Sequence, residues 1–169
     1  MCRKKQIYIE LLLFFIALFS SQIKSAEFTI SVGGKGNFEN IITFGDGFEH
    51  YGIFTSENTF TTNTYLYGST DCAGGIHMKN KTEIKNQYII CKGESQDGNT
   101  FIRKHTNVKD FKAGIDNFEY IEGTGPWKEL VGAKCKGAFL NMKRGAFLYN
   151  VKCSVTDEKL KKINDFQSN

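Results

Sequence analysis

The chain reads as an all-β domain, an antiparallel β-barrel of about eight strands carrying two disulfides, with a β-sandwich as the alternative. Three observations predict this. Short runs of alternating apolar and polar residues recur between glycine-bearing turns. No long amphipathic helical pattern interrupts them. Four cysteines fall between residues 72 and 153, and two of them lie on the apolar faces of one hairpin.

The first 25 residues are set apart from that pattern. Arg3, Lys4 and Lys5 precede an apolar run from Leu11 to Phe19, and small residues follow at Ser25 and Ala26, the arrangement of a secretory signal peptide over 1–25. The run is too short for a membrane span, which needs about twenty apolar residues. Cleavage there takes Cys2 with it, together with four of the 22 basic and one of the 18 acidic side chains, so the remainder carries about +1. The basic balance of the whole chain is therefore largely a property of its leader, and a nucleic-acid partner loses its electrostatic argument. The expected product is exported, periplasmic or extracellular, with no membrane span after cleavage. It has a single barrel domain over 26–155 and a short helix or frayed tail over 156–169.

Phe28 to Val32 alternates and ends at Gly33 and Gly34, as a first strand should, and Asn40 to Phe44 reads as a second. Asp46-Gly47 is a turn signal, followed by β-formers from His50 to Thr55 and an aromatic, Thr-rich run from Phe60 to Tyr67 that ends at Gly68. The segment from Cys72 to Met78 is either a short strand or a crossing between strands. Ile84 to Ser95 is the longest strand pattern; Asp97-Gly98 then turns the chain and Thr100 to Thr106 returns it. After a connecting loop over 107–114, Ile115 to Ile121 alternates with Phe118 and Tyr120 on the inner face.

Tyr120 to Cys153 organises the chain. Gly123, Gly125 and Gly132 bracket its only proline, Pro126, and its only tryptophan, Trp127, so the backbone turns sharply there and lays a large ring across its surroundings. Val131, Ala133, Cys135, Gly137 and Phe139 share one face of the next strand, and Phe147, Tyr149, Val151 and Cys153 one face of its return. An antiparallel register that turns near Arg144 places Cys135 opposite Cys153 and Leu140 opposite Leu148, which brings the two cysteines within reach of a disulfide. Three connectivities of the four cysteines are possible; Cys72–Cys91 with Cys135–Cys153 is favoured, since each bridge would close a loop of about twenty residues. Leu160, Ile163 and Phe166, spaced by three, suit the short terminal helix.

The stretch Gly123-Thr124-Gly125-Pro126-Trp127-Lys128-Glu129-Leu130-Val131-Gly132 resembles the Gly-x-Gly-x-aromatic stretch of the allene oxide cyclase and dirigent type of eight-stranded, calycin-type barrel, and of small secreted bacterial proteins with similar hairpins. The resemblance covers about thirty residues and implies a barrel. Glu129 and Lys134 stand where those barrels would carry glycine or a small residue, and no catalytic residue of either family maps onto this chain.

Candidate chemistry is sparse. The four cysteines have no CxxC or CxH spacing, so they read as disulfides and no metal or other cofactor is expected. His50, His77 and His105 share no local ligand pattern and read as surface histidines. Nucleophile-elbow, zincin and P-loop motifs do not occur. Arg103 and His105 share a strand face with Phe101, and Glu119 and Glu122 flank the next aromatic strand; the sequence reads these as solvated rim charges, with a polar cluster at a barrel mouth as the alternative. If the barrel keeps a cavity, Tyr88, Arg103, Phe118, Tyr120 and Trp127 are the expected ligand walls. Asn80-Lys81-Thr82 fits a glycosylation acceptor.

The expected function is a binding module for an apolar or amphipathic small molecule, or for a partner peptide. The first alternative is a non-catalytic envelope structural or interaction protein whose barrel is fully packed and whose outer surface meets a partner, an envelope protein. The second is an isomerase or cyclase working inside the barrel, which requires a carboxylate or histidine pointing inward.

Overall fold

The computed structural model describes residues 25–80, 83–106 and 113–166. Residues 1–24 of the leader expected over 1–25, most of the expected loop over 107–114, two residues of the glycosylation tripeptide and the last three residues of the expected tail lie outside the described residues. Eight strands close into one antiparallel barrel in sequential order: β1 (Ser25–Phe44), β2 (Glu49–Thr62), β3 (Tyr67–Lys79), β4 (Glu83–Ser95), β5 (Thr100–Thr106), β6 (Ala113–Gly123), β7 (Lys134–Asn141) and β8 (Ala146–Thr156). Closure between β1 and β8 removes the open edges a sandwich would leave. A 3-10 segment, Gly125–Leu130, joins β6 to β7, and helix α1 (Asp157–Asp165) follows β8.

The boundaries differ from the sequence reading in three places, and one choice it left open is decided. Asn40 to Phe44 is not a strand of its own. It is the end of β1, which stays paired with β2 throughout by absorbing one register shift between Asn40 and Ile42. The runs 50–55 and 60–67 are one strand up to Thr62, and the turn falls before Tyr67 rather than at Gly68. Asn63 explains it: its amide accepts from the Thr29 backbone N–H and donates to the Glu27 carbonyl, both at 2.9 Å, while Tyr65 takes φ 62°. The undecided segment Cys72 to Met78 is the body of β3. Val131 is exposed in the turn before β7, so the expected inner face of that strand begins only at Cys135.

The final hairpin keeps the expected register. Cys135 faces Cys153, Leu140 faces Leu148, and the Met142 N–H donates to the Ala146 carbonyl at 2.7 Å. Arg144 and Gly145, both at positive φ, turn the chain inside that pair without slipping it. Both disulfides, Cys72–Cys91 and Cys135–Cys153, join residues directly opposite on neighbouring strands. Bridges of this kind belong to an oxidising compartment. No helix among the described residues is long and apolar enough to cross a membrane.

The interior has two halves. At the end where the chain passes from β6 to β7, the 3-10 segment folds across the barrel and buries Pro126, Trp127 and Leu130. Trp127 is fully buried against Phe101 at 4.3 Å, Phe60 at 5.4 Å, Tyr120 at 6.0 Å and Phe28 at 6.1 Å between ring centroids, and its indole N–H donates to Ser95 Oγ at 2.8 Å. Ile163 of α1 is buried in the same cluster, so the terminal helix is docked rather than frayed. Its N-terminus is capped by Thr156, whose hydroxyl accepts from the Lys159 N–H. The other half holds a separate apolar cluster of Cys72, Ile76, Met78, Ile84, Ile89 and Cys91, and between the two clusters lies the polar group described next.

Candidate functional site

Alternation along β5 turns Phe101, Arg103 and His105 inward and Ile102 and Lys104 away. Arg103 is 2% exposed and His105 8%, so the sequence reading of these two as solvated rim charges is corrected: the strand pattern overrides their polarity. Burying them is tolerable only with partners. The Arg103 guanidinium carbon lies 5.0 Å from the centre of the Phe118 ring and 5.9 Å from that of Tyr149, and His105 stacks on Phe118 with centroids 5.1 Å apart.

The carboxylate partner is Asp116, buried on β6, and not Glu119 or Glu122, which project from the outer face. Asp116 Oδ2 makes a close contact with His105 Nδ1 and accepts the Tyr149 hydroxyl at 3.0 Å. An ionised carboxylate only accepts, so the Nδ1 proton sits between the two groups and Nε2 presents a lone pair. That lone pair faces Cys91 Sγ at 3.3 Å. Glycine makes the Tyr149 contact possible. Gly137 stands opposite Asp116 on β7, and a Cβ there would meet the Tyr149 ring at 2.2 Å, so the ring crosses the strand through the missing side chain.

Burial pushes the His105 pKa below its ordinary 6.5, assisted by Arg103 and opposed by Asp116. Burial also raises the Tyr149 hydroxyl, reinforced by Asp116, and the Tyr120 hydroxyl, where Arg103 opposes it. For a histidine depressed in the folded state the unfolded chain binds the proton more readily, so this contribution to stability is complete above pH 6.5 and is lost as pH falls toward the folded value. His105→Gln lacks the term. The stability gap between wild type and variant in urea titrations is expected to narrow as pH drops below about 6.5, by at most about 1.4 kcal/mol per pH unit. A gap that does not change with pH would contradict the assignment.

These groups form part of the wall of a cavity of about 100 Å³, toward the end of the barrel that carries the β7–β8 turn. Its apolar lining comes from Phe54, Ile76, Ile84, Ile89, Phe139 and Phe147, together with the Cys72–Cys91 bridge; its polar lining includes Ser56, Asn58, Gln87, Arg103, His105 and Asp116. Gln87 Nε2, Arg103 Nε and Asp116 Oδ1 are buried with no hydrogen-bond partner among the described residues, and Arg103 forms no ion pair among them. As a disulfide, Cys72 and Cys91 present no thiolate to a metal, although their sulfurs and a His105 nitrogen lie within 4.8 Å of one another.

Of the five residues expected as ligand walls, only Arg103 lines the cavity. Phe118 and Tyr120 are buried in the aromatic cluster beside it, and Trp127 closes the far end. Tyr88 is 58% exposed on the outer face, with Lys104 Nζ 5.2 Å from its ring centre. The three histidines do not converge: His77 pairs with Glu49 at 2.8 Å, and His50, buried rather than superficial, lies 3.3 Å from Thr43 Oγ1. Asp116 was missed, though it shares the parity of Phe118 and Tyr120, an alternation that marks an inward carboxylate.

Fold and site together define a class: a small closed eight-stranded antiparallel barrel, plugged by aromatics at one end, with a buried polar cluster against an apolar cavity at the other. Among solved structures, the crystal structure of a protein of unknown function from Clostridium acetobutylicum ATCC 824 is similar, with a TM-score of 0.60 and 8% sequence identity over 78% of this chain and 99% of that one. At that identity the likeness is one of fold. No protein-family model and no curated protein matches the chain. The barrel implied by the allene oxide cyclase and dirigent resemblance is present, and no match supports membership of either family.

Proposed function

We propose that the barrel is an exported binding module for a small amphipathic carboxylate. The observation that carries this is Arg103: a residue 2% exposed, without an ion pair among the described residues, on the wall of a largely apolar cavity. A ligand carboxylate would supply the missing anion, the Gln87 amide would donate a further hydrogen bond, and Phe54, Ile76, Phe139 and Phe147 would take an apolar body. Size limits the choice. A cavity of about 150 Å³ accepts benzene, so about 100 Å³ suits a short acyl or small cyclic acid. The disulfides and the leader-like N-terminus support export.

The test is calorimetric titration with a panel of short-chain and monocyclic carboxylic acids, each beside its primary amide. Carboxylates are expected to bind, their amides at least about tenfold more weakly, and Arg103→Met to remove the preference. Equal affinity for acid and amide, or no binding across the panel, would overturn the reading. A second reading, acid–base catalysis on a bound ligand, is favoured by the inward His105–Asp116 pair, and differs in requiring turnover that His105→Gln abolishes while binding persists.

A further inference from the structure

We propose that Cys72–Cys91 is a redox-active disulfide, and that opening it by a dithiol releases a nucleophilic Cys91 thiolate paired with His105 on the cavity wall. Two bridges of similar geometry stand in very different surroundings. Cys135 and Cys153 are packed among apolar side chains of the aromatic cluster, and among the described residues no histidine nitrogen is within hydrogen-bond distance of their sulfurs. Cys72–Cys91 lines the cavity: Cys72 retains 8% exposure, Cys91 none, and His105 Nε2 lies 3.3 Å from Cys91 Sγ with its other nitrogen held by Asp116. The Asn58 amide nitrogen lies 3.6 Å from Cys72 Sγ. Sulfur, imidazole and carboxylate are thus in line as nucleophile, base and orienting group, with the sulfur masked by its bond to Cys72.

The geometry assigns the order of events. A thiolate of the dithiol bonds to the more accessible Cys72 Sγ as the Cys72–Cys91 bond breaks, and the electron pair leaves with Cys91. The second sulfur of the dithiol then displaces Cys72 from the mixed disulfide. The dithiol is oxidised by two electrons to its own disulfide; one of its two protons ends on Cys72 and the other on His105 Nε2. A thiolate stabilised by an adjacent imidazolium is the better leaving group and favours the reduced state, so this bridge is the more oxidising of the two. His105 acts here as a positioning and proton-accepting residue. Asp116 from β6, Tyr149 from β8 and Arg103 from β5 also face the pair, and their charges enter any pH profile.

The experiment equilibrates the intact protein with mixtures of dithiothreitol and its oxidised form, traps free thiols by alkylation after acid quenching and denaturation, and maps both bridges by mass spectrometry. Cys72–Cys91 is expected to reach half-reduction at a dithiol-to-disulfide ratio at least about tenfold lower than Cys135–Cys153, which serves as the internal reference. In protein reduced only at the first bridge, ultraviolet absorbance should show one thiolate persisting about two pH units below the ordinary thiol value of about 8.5, and His105→Gln should return it toward that value. Bridges that open together, or a Cys91 that titrates as an ordinary thiol in the wild type, would overturn the proposal; should His105→Gln not fold, the wild-type measurements decide. None of these readings involves a carboxylate ligand, so failure here and failure of the binding proposal are distinguishable.

Discussion

Trp127→Ala is expected to lower stability by about 3–5 kcal/mol, the range for emptying a fully buried large aromatic site. The ring contacts four other aromatics and its N–H satisfies Ser95, so truncation leaves a void at the closed end and a serine hydroxyl without its donor. Collapse cannot fill that void, because Phe60 and Phe101 are fixed by paired strands and the 3-10 segment is held by Pro126 and Leu130. Urea denaturation followed by circular dichroism measures the loss. Trp127→Phe is the graded control, keeping a ring while losing the hydrogen bond to Ser95, and it should cost distinctly less. A loss below about 1 kcal/mol for the alanine variant would mean that the 3-10 segment does not seal the barrel.

Replacing both Cys135 and Cys153 with alanine is expected to cost about 2–5 kcal/mol while the β circular dichroism signature persists. The bridge spans 18 residues of sequence and lies in the aromatic cluster, so its removal both frees the unfolded chain and leaves two small gaps in the core. The strands survive because register is set elsewhere. Phe139 opposite Tyr149, Leu140 opposite Leu148 and the tight turn at Arg144 and Gly145 keep β7 on β8 without the bond. Matched denaturant titrations of wild type and variant check the size, and loss of the β signature under native conditions would show that the bridge, not the alternation, specifies the hairpin.

The hairpin was legible for a local reason. A period of two and a turn of fixed length leave one register that keeps both apolar faces inward, and both cysteines fall on those faces. The β4–β5 hairpin was legible in the same way, through Asp97-Gly98. The β2–β3 turn was not, because it is made by Asn63 binding the backbone of β1, a contact 34 residues away that no local pattern encodes.

The candidate site divides along the same line. Parity alone placed Arg103 and His105 on the face of Phe101, yet their charge argued for solvent when the strand was read alone; Asp116 has the parity of Phe118, but the sequence reading did not single it out. Whether a charged residue can stay inside depends on what the neighbouring strands bring to it. Here those are the Asp116 carboxylate from β6, the Tyr149 hydroxyl reaching across Gly137, and the Cys91 sulfur from β4. By itself the sequence determined most of the strands and their facing and favoured the two disulfide pairs that the structure shows, because those follow from alternation and turn chemistry over neighbouring residues. Only the tertiary structure decided that Trp127 closes one end while Tyr88 stays outside, and that Arg103 lines a cavity without an ion pair among the described residues, because closing the barrel sets which inward side chains share one space.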